Sequence, residues 1–233
     1  MTSSILLKLH GPLQSWGTDS RFASRRTDHE PSKSAIVGLL AAAGGRRRTD
    51  PIEDLASLEF GVRTDQPGKL VRDFQTAQNP VTDKYPRITH RYYLADATFV
   101  VALSADPSLL GALFENLKRP VFPLFLGRRS CTLNHDFLLG IREGNVDQAL
   151  RSEPWHASES HRRQQPKIVF LPVIRDAVPG DKEIEDVRDL PISFNPEHRQ
   201  YSWRSITRPE PVVISNQEGT DSDRDPIFEA VDN

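Results

Sequence analysis

Apolar and polar positions alternate in blocks that predict a chain of mixed strands and helices. Residues 4–10 form a nearly continuous apolar run that stops at Gly11-Pro12, which is typical of a buried strand and a turn. Pro31-Ser32-Lys33-Ser34 then opens a second run, residues 35–43, that is apolar almost all round. Because proline and serine start helices and Gly44-Gly45 is a stop signal, this run predicts a helix packed against a sheet.

The middle of the chain predicts further strands and a second helix. Residues 58–63 and 70–74 flank a turn at Asp65-Gln66-Pro67-Gly68, and this spacing predicts a β-hairpin. Residues 107–118 begin with proline and repeat leucine or phenylalanine at helical spacing, which predicts a helix. Two more strands are predicted, at residues 92–103 and 137–142.

Two polar segments without periodicity interrupt these elements. Residues 18–30 are predicted to be a long loop, and residues 76–91, with two prolines, an extended insertion that protrudes as an arm. The order through residue 142 is therefore strand, helix, hairpin, insertion, strand, helix, loop, strand. This order predicts an α+β fold of the ferredoxin-like (RRM-like) type.

The pattern weakens in the last third of the chain and predicts a smaller, β-rich region. A short helix is expected at 146–151, a basic loop at 155–166, and strands at 168–174 and 212–214. The final residues are rich in aspartate and glutamate, which predicts a disordered tail. The predicted organisation is a domain over 1–145 with the insertion at 76–91, an appendage over 146–215, and an acidic tail over 216–233.

Charge is divided unevenly along the 233 residues. The whole chain has a net charge of −2, but residues 1–130 carry 18 lysines and arginines against 13 aspartates and glutamates. The remaining 103 residues carry 12 and 19. A phosphate backbone is therefore expected to bind the first half.

The composition argues against several other classes of protein. The single cysteine, Cys131, excludes an internal disulfide and a cysteine-rich zinc site; a small buried residue is the favoured interpretation, although two preceding arginines would activate a nucleophile. No metal or cofactor site is predicted, because the histidines lack metal-ligand spacing and phosphate-binding glycine motifs are absent. No apolar run of ~18 residues predicts a membrane span. A cytoplasmic protein is expected, since the N-terminus is too short and too charged for a signal peptide.

Two short loop signals carry the most specific chemistry. Gly11–Gly17 includes Gln14 and Trp16, while Gly127-Arg128-Arg129-Ser130 precedes Cys131. Arginines bind phosphate oxygens in pairs of hydrogen bonds, and aromatic rings stack on unpaired bases. If the two loops converge, they form a surface for single-stranded RNA. Taken separately, Trp16 is better explained by the core and the two arginines by a solvated turn.

Other basic residues are candidates with the same ambiguity. Arg46 lies in a run of three arginines at a helix end, Arg72 and Arg91 flank the predicted arm, and His135 is adjacent to the second loop. A charge run such as that of Arg46 is more often solvated, and Arg72 and Arg91 have the same alternative. A lone histidine such as His135 is usually structural or a ligand contact.

A metal-independent endoribonuclease is the alternative hypothesis. Such an enzyme requires a base, an acid and a cation near the scissile phosphate. His90, Tyr92 or Tyr93, and Lys84 could supply these groups, but nothing in their spacing compels the set.

Several motifs, in order over roughly the first 140 residues, together resemble one family. The sequence is similar to CasD-type subunits of the type I-E CRISPR Cascade complex, members of the RAMP superfamily. The matching stretches are 9–17, 31–40, 72–74, 93–103 and 125–131.

The resemblance implies a non-catalytic subunit of antiviral defence that holds the 5′ handle of CRISPR RNA. The handle would contact Gly11–Gly17, Lys33 and Ser34 at a helix N-terminus suited to phosphate, and Gly127–Ser130. Residues 76–91 would form a thumb. The implied partners are the backbone subunit CasC and the large subunit CasA, with target DNA met only through the complex. A type I-C relative in the superfamily cuts precursor RNA, which keeps the alternative hypothesis open.

Overall fold

The computed structural model describes residues 2–17, 24–79, 81, 85 and 87–220, which form an α+β fold as predicted. In this part of the chain the strands are β1 Ser3–His10, β2 Leu13–Gln14, β3 Ser24–Arg25, β4 Glu59–Gln66, β5 Lys69–Ala77, β6 Arg87–Ala95, β7 Thr98–Ala105, β8 Leu138–Glu143, β9 Ile168–Leu171, β10 Val173–Asp176, β11 Glu185–Ser193, β12 Gln200–Thr207 and β13 Val212–Ser215. The helices are α1 Lys33–Ala43, α2 Glu53–Ala56, α3 Pro107–Lys118, α4 Val146–Ser152 and α5 Glu159–Arg163. None of the helices in these ranges is long and apolar enough to cross a membrane.

A seven-stranded antiparallel sheet organises the molecule, in the order β8-β1-β7-β4-β10-β12-β11. Successive side chains of a strand point to opposite faces, so β1 contributes to two cores. Ile5, Leu7 and Leu9 pack into the core that α1 and α3 cover, whereas Leu6 packs into the core beneath α4, β9 and β13. Both faces of the central strands are buried, which explains why these strands are apolar without alternation.

Both long helices lie where the sequence predicts them. Ser32 caps α1 by accepting a hydrogen bond from the Ala35 amide, and Gly44 ends the helix. Asp106 caps α3 by accepting from Ser108, with Pro107 in the first turn. Since an N-cap side chain satisfies a free helical N–H group, these local signals fix both helix starts.

A second, smaller sheet consists of β2, β3, β5 and β6, and here two predictions are wrong. The strand β5 pairs with β6 along its whole length and not with β4, so the hairpin is β5–β6. The single strand predicted over 92–103 is two strands in different sheets. Between them Asp96 has φ 57, a left-handed conformation that aspartate tolerates better than most residues and that turns the chain.

The C-terminal residues extend the main sheet. The strand β10 pairs with β4, and β12 and β11 follow it at the sheet edge. The run predicted as one strand over 168–174 is divided between two sheets at Pro172, and the loop predicted over 155–166 contains α5. Strands β11 and β12 were not predicted, because their charged residues mask the alternation. The division at residue 145 stays a prediction, and most of the predicted acidic tail lies outside the described residues.

Candidate nucleic-acid interface

The two loops singled out in the sequence meet, as predicted. The Ser15 amide donates to the Leu126 carbonyl at 3.1 Å. The second loop is closed by hydrogen bonds of 2.8 Å between Leu126 and Cys131 and between Cys131 and Arg128. Gly127 lies against the first loop with φ +82, and a Cβ atom there would be 1.7 Å from the Ser15 carbonyl oxygen. Only glycine permits this approach.

Trp16 and Gln14 are buried, so the expectation that they contact RNA is wrong for this conformation. Trp16 is 1% exposed and its indole N–H donates to Gln14 Oε1 at 3.1 Å. Gln14 is fully buried and donates to the carbonyls of Leu9 and Ala97. A buried amide must satisfy both its donors and its acceptor, and the Gln14 amide does so with Leu9, Ala97 and Trp16. Gln14 therefore joins the end of β1 to the start of β7.

Arg128 connects the loop to the small sheet. Its guanidinium donates to the Arg25 carbonyl at 2.9 Å and lies 4.6 Å from the centre of the Tyr93 ring. The other terminal nitrogen, Nη1, is buried and has no hydrogen-bond partner among the described residues. Arg129 and Ser130 are exposed at the tip of the loop.

The N-terminus of α1 is already occupied by a carboxylate of the chain itself. The Lys33 amide donates to Asp189 Oδ2 at 2.7 Å, and the Lys33 ammonium pairs with Asp176 at 2.9 Å. Lys33 is therefore buried in an ion network, and its predicted contact with RNA is wrong for this conformation. Ser34, in contrast, is half-buried and lines a large cleft.

The remaining candidates are dispersed over the surface. Arg46 lies at the opposite end of α1 and pairs with Asp54, and the hydrogen bond holds the pKa of that carboxyl below its usual value. Arg72 is exposed on β5, and Arg91 on β6 has a buried Nε atom that meets no hydrogen-bond partner in the part of the chain that the structure describes. His135 is exposed in the loop before β8. None of these four lines the cleft around Ser34.

That cleft, with a volume of about 1230 Å³, is the strongest candidate site in the described residues. Seven arginines and four carboxylates line it, and Ser15, Gly17, Gly127 and Arg128 form one part of its wall. Its arginines are Arg25, Arg26, Arg128, Arg188, Arg199, Arg204 and Arg208. An excess of guanidinium groups in one concave surface attracts and binds phosphate groups.

Strands β11 and β12, with the residue that precedes β12, supply the part of the cleft that the sequence prediction missed. Arg188, Arg199, Tyr201 and Trp203 all line it, and Trp203 is 62% exposed. Aromatic residues interleaved with arginines between 199 and 204 are a pattern typical of single-strand binding, and this signal could have found them.

The alternative ribonuclease hypothesis stays open, because two of its groups, His90 and Tyr92, share one face of β6. Tyr93 is 5% exposed beneath Arg128, while His90 and Tyr92 alternate with it on β6 and so point to the other face. Lys84 lies outside the described residues. Cys131 is buried, and burial raises the pKa of its thiol, which is the reverse of what a cysteine nucleophile requires.

Known proteins match most of this chain. The family model of CRISPR-associated protein (Cas_Cas5) matches residues 4–207. The CRISPR system Cascade subunit CasD of Escherichia coli (strain K12) is 33% identical over 168 residues, which cover 64% of this chain and 75% of that protein.

Two solved structures are similar over nearly the full length. One, described as a crystal structure of a Cas protein, is 34% identical with a TM-score of 0.71 and covers 95% of this chain and 100% of its own. A chain of a CRISPR RNA-guided surveillance complex is 30% identical with a TM-score of 0.77, covering 98% of both chains. The family model, the curated relative and the two structures agree, and the chain belongs to the CRISPR-associated (Cas_Cas5) family.

Proposed function

We propose that this chain is a non-catalytic RNA-binding subunit of a type I-E Cascade complex and holds the 5′ handle of CRISPR RNA in its arginine-lined cleft. The observation that carries the proposal is the position of the cleft, which lies where the loops of Ser15 and Gly127 meet and gathers seven arginines. Single-stranded RNA supplies the flexible row of phosphates that such a surface binds.

The topology supports the ferredoxin-like RAMP interpretation. Strands β8-β1-β7-β4 are adjacent and antiparallel in that order, while α1 and α3 connect β1 to β4 and β7 to β8 and cover one face. This is the arrangement of a βαββαβ unit.

The hairpin β5–β6 is proposed to be a thumb that docks on the backbone subunit CasC. Residues 69–77 pair with residues 87–95 in it, and Leu70, Phe74 and Ile88 are each more than half exposed. Exposed apolar groups on a hairpin favour contact with another protein. The large subunit CasA is the second proposed neighbour, and target DNA is reached only through the assembled complex.

The cleft is tested by measuring the affinity of the purified full chain for its own handle RNA, by fluorescence anisotropy across a salt series. Arg25→Ala with Arg199→Ala removes two exposed cleft arginines, whereas Arg47→Ala with Arg48→Ala removes two exposed arginines beyond α1. We expect only the cleft variant to bind more weakly, with its salt slope reduced by about 1.4, since each single-strand phosphate contact contributes roughly 0.7. Equal loss in both variants would place the site elsewhere.

The same preparation separates the two functions. Incubation with the repeat RNA in EDTA is expected to leave the RNA intact. Cleavage at one position that is lost in His90→Ala would overturn the non-catalytic assignment and establish the endoribonuclease.

A further inference from the structure

Trp203 is unlike the other two tryptophans of the chain. Trp16 is buried in the core, and Trp155 donates its indole N–H to the Asp65 carbonyl at 2.8 Å. Trp203 is 62% exposed and its indole makes no hydrogen bond among the described residues. A large apolar ring left in water at the wall of a charged cleft has an unused contact surface.

The backbone around Trp203 is built to present this ring. In the pairing of β11 with β12, Val187 is opposite Arg204 and Leu190 is opposite Ser202. Two residues, Arg188 and Asp189, therefore stand opposite Trp203 alone, which is a β-bulge. Bulges redirect side chains, and they recur near binding sites.

The bulge is held by buried ion pairs that fix the position of the strand. Arg204, next to Trp203, donates to Asp189 at 2.6 and 3.0 Å and to Asp176 at 2.7 Å. Asp189 in turn accepts from the Lys33 amide at the start of α1. The strand that carries the indole is thus tied to α1 and β10, so its backbone is fixed before any ligand binds.

We propose that Trp203 is a base-stacking platform on which an unpaired base of the bound RNA lies while the cleft arginines bind its phosphates. The inference rests on the proposed function and assigns to the C-terminal strands a direct part in holding the RNA. The neighbours decide the ligand class: Arg188 and Arg199 are exposed and line the same cleft, and stacking beside guanidinium groups is typical of single-strand recognition. A protein partner is the competing occupant, and the experiment distinguishes it.

The test compares Trp203→Ala and Trp203→Phe with the unchanged full chain, using handle RNA and an abasic RNA of the same length. Trp203→Ala should weaken binding of the handle about tenfold, the effect typical of one lost stacked base, while Trp203→Phe keeps most of the affinity. Against the abasic RNA, the unchanged chain and Trp203→Ala should bind equally. The matched control is Phe170→Ala, which removes a ring that is 61% exposed on β9 outside the cleft. This control should bind both RNAs as the unchanged chain does.

Each contrary result has its own meaning. If the cleft arginines are required but Trp203→Ala binds the handle normally, the platform is overturned and the proposed function stands. Loss of CasA binding in that variant would then assign the ring to protein contact. If Trp203→Ala weakens both RNAs equally, the ring acts without stacking and the platform is also overturned. If the unchanged chain fails to bind the handle, the proposed function falls and the platform falls with it.

Discussion

The carbonyl oxygen of Ser15 occupies the space that a side chain at position 127 would need. An added Cβ atom would lie 1.7 Å from that oxygen, and the φ of Gly127 is +82, a region that residues with a side chain rarely adopt. The two loops can therefore touch only because glycine has no Cβ atom at position 127, and the wall of the cleft depends on that contact.

Gly127→Ala is expected to destabilise the fold by more than about 1 kcal/mol, because alanine is strained at a positive φ and must also displace Ser15. Chemical denaturation measures the change in the free energy of unfolding. The control is Gly111→Ala in α3, where nothing lies within 4 Å of the added atom and where alanine favours the helix by up to about 1 kcal/mol. Equal stability of Gly127→Ala and the unchanged chain would contradict the close contact.

Asp189 is expected to be essential for stability because it satisfies both the N-terminus of α1 and Arg204. Asp189→Ala leaves a largely buried guanidinium with one partner fewer and should cost about 3 kcal/mol in unfolding free energy. Glu183→Ala, at an exposed position of the loop before β11, should change it by less than about 0.5 kcal/mol. If Asp189→Ala were stable and bound RNA more tightly, the start of α1 would be a phosphate site that Asp189 normally occupies.

Local signals predicted the elements that depend on local physics. The caps at Ser32 and Asp106 and the apolar periodicity fixed α1 and α3. The break at Asp96 could not be seen, because it depends on a left-handed conformation without glycine. For the same reason, the apolar run over 92–103 predicts one strand, although the chain forms two there.

The site was predicted only in part because burial is a tertiary property. The motifs indicated the two loops that meet at Ser15 and Gly127, yet Trp16 belongs to the core, and the indole exposed at the cleft is that of Trp203. In the same way, nothing local distinguishes Asp189, which is buried against the start of α1, from Asp186, which is exposed on the same strand. Charged strands such as β11 conceal the alternation that identifies strands elsewhere.

The N-terminal 145 residues are expected not to fold alone. Buried Arg63 on β4 donates to the carbonyls of Leu150, Glu153 and Pro154 at 2.6 to 2.7 Å, and β4 also pairs with β10. A chain of residues 1–145 loses these acceptors and leaves the guanidinium satisfied only by Asp65. We expect no cooperative unfolding transition by circular dichroism and rapid proteolysis. A chain of residues 1–220 should unfold like the full chain; a cooperative 1–145 fragment would confirm the division at residue 145.

Acid is expected to weaken the contact between β1 and the loop before β8. Burial raises the pKa of Asp136, but hydrogen bonds from Lys8 and His10 outweigh it and hold that pKa well below the value of 3.8 for a free aspartate. The carboxylate therefore stabilises the fold above about pH 4, and this contribution disappears as the pH falls towards the folded-state pKa. Asp136→Asn should lower the free energy of unfolding at pH 6, and the gap to the unchanged chain should narrow by pH 3. A gap that is constant with pH would show that the carboxylate's charge is not involved.

The exposed face of the β5–β6 hairpin is expected to be required for assembly with CasC and dispensable for folding. Phe74 is opposite His90, two residues from Ile88, so the two apolar side chains share one face and are 66% and 55% exposed. Phe74→Ser with Ile88→Ser should weaken co-assembly by about 2 kcal/mol or more, the range of central interface residues, without changing the unfolding free energy. Co-purification of the complex from cells that express all its subunits measures the loss.

The matched control replaces Ile168 and Phe170 on β9 by serine. These side chains are 58% and 61% exposed, and this variant should assemble normally. Because both variants remove similar exposed area, a loss confined to the hairpin would assign the docking surface to it, and equal assembly of both would exclude this face.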